Sequence, residues 1–163
     1  MRQRAAYAIV TGGLIAGLID ITYALGFSAI RGVPPTRILQ SVASGLLGSS
    51  SYQGGAATAA LGLVLHFLLM LIIAAIFYFA STRWRFLVAR PVLWGGLYGF
   101  FTYWVMNLVV LPLSAFPSEV KFVPLTLITS LIVHAFGIGV PIALASRKAL
   151  APMAREDGGA AVV

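Results

Sequence analysis

Three side chains could carry a proton within apolar stretches of this chain: Asp20, His66 and His134. His66 and His134 are the only histidines, and each follows a threonine, Thr58 and Thr126, by eight residues. A carboxyl group beside an imidazole gives one proton two places to reside. With Asn107, the most polar residue of a third apolar run, they form the candidate intramembrane polar cluster Asp20, His66, Asn107 and His134. Two other uses of the histidines stay open. Imidazoles can hydrogen-bond across helices as structural donors, and two of them on facing helices can ligate one b-type haem. No cysteine occurs, so thiol catalysis, iron–sulfur ligation and a covalent c-type haem are excluded. There is no catalytic triad, zinc-spacing motif or carboxylate pair. The expectation is therefore no enzyme, no metal and no cofactor, with haem b at His66 and His134 as the alternative.

These residues must be positioned by membrane helices. Hydrophobic residues make up 60% of the 163-residue chain and charged residues 9%, with a mean hydropathy of +0.98. A soluble domain of this size has too much surface to hide such a composition. A spanning helix takes about 20 mostly apolar residues. Four runs qualify, at about 7–27, 56–81, 92–113 and 124–146, within a domain covering 1–148. None shows the alternation of a barrel strand. At 1.5 Å per residue, Asp20 lies about 20 Å along from Tyr7, past the middle of a core about 30 Å thick. An acid there argues against reading the first run as a cleaved signal peptide.

Between the first two runs, Val33-Pro34-Pro35 stops one helix and Thr36 can cap another. Over 36–48, Ile38, Leu39, Val42, Leu46 and Leu47 fall on one face, and Arg37, Gln40, Ser41 and Ser44 on the other. This predicts an amphipathic helix in the interface, with a re-entrant segment as the alternative. Arg37 is expected among headgroups, or paired with Asp20. Gly13 with Gly17, and Gly95 with Gly99, form small-xxx-small steps for close helix packing. Phe100, Phe101, Tyr103 and Trp104 are expected to fill the centre of the bundle, and Pro141 to kink the last helix. Residues 149–163 read as a disordered cytoplasmic tail.

Eight Lys and Arg lie at the N-terminus, the 82–91 turn and the tail, against Arg31, Arg37 and Lys121 on the other side. Both termini are therefore expected in the cytoplasm. The basic charge needs no nucleic acid as partner. The expected partners are membrane lipids, with the glycine steps able to dock a second copy or another membrane protein.

Gly12-Gly13-Leu14 answers Gly95-Gly96-Leu97, and the Thr-to-His spacing recurs. The chain thus reads as two tandem helical hairpins, an internal repeat about an axis along the membrane normal. LHFLLMLIIAAIFYFAS, WGGLYGFFTYWVMNLVVLPLSAFP and VHAFGIGVPIALASR resemble the YagU-like bacterial inner-membrane proteins over roughly the last two thirds of the chain. The resemblance implies a four-span fold in the inner membrane and carries no functional residues. The resulting expectation is a non-enzymatic inner-membrane protein with an outward-opening polar pocket for protons or a small solute. The alternatives are a structural or assembly subunit and a bis-histidine haem protein.

Overall fold

Within lipid a backbone must satisfy its own polar groups, so long apolar runs become helices. The computed structural model describes residues 2–159, with side chains to Ala151. It contains four helices long and apolar enough to span a membrane, Arg2–Ile30, Gly55–Arg83, Pro91–Leu113 and Pro124–Ala151. Among the described residues there is no strand. The protein is an all-α, multi-pass membrane protein. Leu18, Leu68, Ile76, Phe101, Val105 and Phe136 are among the large apolar side chains on the outer surface, where lipid replaces water as their solvent.

The interior is built from small residues, because close approach of backbones drives packing in lipid. The first span is central. Gly12 faces Ile142 and Ala145 of the fourth span, while Gly13 and Gly17 face Leu71 and Phe67 of the second. Gly95 and Gly99 of the third span lie against Gly139 and the His134 carbonyl of the fourth. All four glycines of the two predicted steps thus pack within the chain. The second and third spans meet near the terminus end, where the Phe77 and Tyr98 rings pack at a tilt with centroids 5.0 Å apart and the Tyr98 hydroxyl donates to the Ile73 carbonyl at 2.8 Å. Toward the loop end a cavity separates them.

Two turns of wider π-helix interrupt the spans, Met106–Val110 in the third and Val133–Gly139 in the fourth. Each lies just before a proline, Pro112 or Pro141. Proline lacks an N–H and crowds the carbonyl four residues back, so the helix widens there rather than breaking. In both turns a side chain donates to the carbonyl four residues back: Asn107 Nδ2 to Tyr103 at 2.8 Å and His134 Nδ1 to Ser130 at 2.9 Å.

The short helix is present over Pro35–Leu47 and caps the loop end of the second span. Its orientation is the reverse of a water-exposed amphipathic helix. Gln40, Ala43 and Ser44 are buried, while Leu46 and Leu47 are exposed. The small face is inside because the Leu39 carbonyl packs directly on Gly62. Gln40 Nε2 donates to the Gly55 carbonyl at 3.0 Å, and the Gly45 carbonyl accepts from Ala115 N at 2.9 Å, tying this cap helix to the loop after the third span. Arg37 lies over the Tyr52 ring at 3.9 Å and not against Asp20. The aromatic centre is also different from expectation. Phe100 and Phe101 face outward, and of that group only Tyr103 is buried. A disordered tail from 149 is expected, but the fourth helix runs on to Gly159, and Ala149 and Leu150, where that tail would start, bury against the core. Residues 160–163 of that tail lie outside the described residues.

Candidate functional site

The second span carries His66 to the first span at Gly17. His66 Nε2–H donates to the Gly17 carbonyl at 2.9 Å. Approach is close because residue 17 has no side chain; a Cβ there would meet the Phe67 ring at 2.8 Å. A carbonyl only accepts, so in neutral His66 the proton is on Nε2 and Nδ1 presents a bare lone pair. That nitrogen faces Asp20 Oδ2 at 3.9 Å. His66 is 6% exposed.

The π turn of the fourth span sets His134. Its Nδ1–H donates to the Ser130 carbonyl, leaving Nε2 as the bare acceptor. The same Nδ1 is 3.9 Å from Asp20 Oδ1. Tyr103 packs edge-on against the imidazole with centroids 5.1 Å apart. One carboxylate oxygen therefore faces each histidine. Both separations exceed hydrogen-bond reach but keep the three groups within electrostatic range.

Asp20, His66 and His134 converge on one point and line one cavity. Asn107 does not line it, since its amide turns to its own helix. The sequence reading passed over a polar ladder between the first and fourth spans. The Tyr23 hydroxyl lies 2.6 Å from Thr129 Oγ1 and 3.3 Å from Ser130 Oγ. Nearer the loop end, Arg31 donates to Thr126 Oγ1 at 3.1 Å. The ladder leads from the loop end to His134 and Asp20. Its signal was the four-residue step Thr126, Ser130, His134, matched by Asp20 and Tyr23 one turn apart. Toward the terminus end, Ile138 and Ile142 are fully buried and the Tyr98–Ile73 contact closes the bundle.

The cavity measures about 470 Å³. Its walls are Leu65, Leu69, Met70 and Ile73 of the second span with Met106 and Val110 of the third. The cap helix contributes Ser41, Val42 and Gly45, and the third span's exit Ser114 and Phe116. Leu46 and Leu68, the lining residues most open to the surroundings, mark its mouth.

No protein-family model, curated protein or solved structure matches this chain.

The haem alternative expects an open apolar slot between the histidines. The Asp20 carboxylate faces both imidazoles. Gly137 and Gly139, which could have opened room beside His134, are covered by Ile19 and Gly95. Phe136, a candidate wall of a haem slot, points outward.

Proposed function

We propose that this is a non-enzymatic bacterial inner-membrane protein, with both termini cytoplasmic, whose Asp20–His66–His134 pocket takes up and releases a proton on the outer side. The observation that carries the reading is one carboxylate oxygen facing each of two imidazoles at the wall of a cavity. Intramembrane acids face a partner or a cavity when they serve ion handling. The excess of Lys and Arg on the terminus side supports the orientation, and with it the cap helix and the ladder lie on the outer side. The inner-membrane location rests on that asymmetry and on the YagU-like resemblance.

We also read the two hairpins as related. Gly13 and Gly17 pack on the following span as Gly95 and Gly99 do. This equivalence is one residue off the Gly-Gly-Leu alignment. The first span also packs on the fourth, and the matching contact between the third and second is opened by the cavity. Because these glycines are covered within the chain, packing favours the pocket over an assembly subunit.

Access from one side separates a proton site from a sealed structural cluster. The cysteine-free chain allows single-cysteine labelling. Ser114→Cys and Thr102→Cys should react with a membrane-impermeant maleimide in intact spheroplasts, and Ile138→Cys should not. Reaction only in inverted vesicles, or at neither cavity position, would overturn the reading.

A further inference from the structure

With the proton released, Asp20 ionised and both histidines neutral, the polar side chains lining the cavity offer acceptors only. Thr102, Ser114 and Ser41 direct their hydroxyl hydrogens to the carbonyls of Tyr98, Leu111 and Ile38, at 2.8, 2.7 and 2.7 Å. The protons of neutral His66 and His134 go to Gly17 and Ser130. What remains toward the cavity is the Asp20 carboxylate and, facing it, the bare Nδ1 of His66. His66 is more than nine-tenths buried, and its Nδ1 faces an oxygen that is itself an acceptor at 3.9 Å. Two acceptors face to face need a donor between them.

No Lys or Arg lines the cavity, so an anion has no partner there. The remaining surface is aliphatic, and the mouth between the second and third spans is rimmed by Leu46 and Leu68. A volume of about 470 Å³ lies within the range of small-molecule sites. Quaternary ammonium groups are held by cages of aromatic faces, and Phe116 is the only Phe, Tyr or Trp in the lining.

We propose that this cavity binds a primary ammonium group carried on a single apolar chain, with its N–H donors against Asp20 and His66 and its tail between the second and third spans. The proposal rests on the pocket reading above and names its ligand. An aminophospholipid shares the ammonium, but its phosphate would meet no cation in the lining.

The test is binding of radiolabelled decylamine to the full chain in phosphatidylcholine nanodiscs. Saturable binding is expected, with decyltrimethylammonium at least about tenfold weaker as a competitor, since it lacks N–H donors to a charged acceptor. Decanoate should not compete, and exchanging the lipid for phosphatidylethanolamine should leave binding unchanged. Asp20→Asn should weaken decylamine by about tenfold or more. Met106→Trp, which fills the apolar wall away from the carboxylate, should also lose binding; thermal unfolding verifies that both variants are folded. Equal competition by decyltrimethylammonium or decanoate, displacement by phosphatidylethanolamine, or undiminished binding in both variants would overturn the proposal. Absent decylamine binding with an Asp20 carboxyl that still titrates in the infrared would overturn the ligand alone. A folded protein whose Asp20 never titrates would overturn the proton reading.

Discussion

His66 joins two roles that the sequence left as alternatives. Nε2 is a structural donor across helices, and Nδ1 faces the carboxylate. His66→Ala should cost about 0.5–1.5 kcal/mol in hydrogen bonding, because it removes the cross-helix bond that the Gly17 carbonyl accepts in addition to the one within its own helix. His66→Gln, which keeps a donor, should lose less; thermal unfolding in detergent compares the two. Tyr23→Phe removes the hydroxyl between Thr129 and Ser130. Its stability cost should be only about 0.6 kcal/mol, while the response of the Asp20 carboxyl band to a pH jump slows. An unchanged response would remove Tyr23 from the path. Asp20 and the histidines were legible because a polar residue in a long apolar run must find a partner or a cavity. Asn107 met the same criterion and found its partner one turn back on its own helix. Side-chain direction, which separates these outcomes, is not set by depth alone.

At the scale of elements, span positions and glycine steps could be read directly, since length, hydropathy and small-residue spacing encode them. The π turns could not. Pro112 and Pro141 mark where a helix is disturbed, but whether it kinks or widens depends on what its neighbours can satisfy. The cap helix was found as an amphipathic helix in the interface, but its packing on the second span was not. Beside lipid the small polar face turns inward and the leucines outward. Two neighbouring glycines test the packing. A Cβ at Gly99 would collide with the His134 carbonyl, whereas Gly96 has nothing within 4 Å. Gly99→Ala should destabilise by about 1–3 kcal/mol through overpacking and disturb the π turn that holds His134. Gly96→Ala should stay within about 0.5 kcal/mol of the parent. Equal melting temperatures for the two would contradict the close third–fourth span contact.

For the whole molecule, four contacts around a ring of spans would give a sealed bundle. Here the second and third spans meet only toward the terminus end, and the loop end holds the cavity. The sequence contained the repeat-like spacing but not this opening, which depends on how far apart two non-consecutive spans stand. Orientation is the prediction at this scale: reporter fusions after Ser51 and after Ser118 should read as external, and a fusion after Arg85 as cytoplasmic. A cytoplasmic signal at either of the first two would place the cavity on the wrong side for the proposed exchange.

The central claim is that Asp20 shares a proton with two histidines, and the pH-titrated infrared difference spectrum of the reconstituted protein tests it most directly. The account predicts a carboxyl stretch, absent in Asp20→Asn, that titrates together with imidazole bands in a broadened curve, as interacting sites do. In the His66→Gln/His134→Gln double variant the carboxyl should titrate alone and in one step. Identical carboxyl curves in the parent and the double variant, or no Asp20 band that responds to pH, would contradict the account.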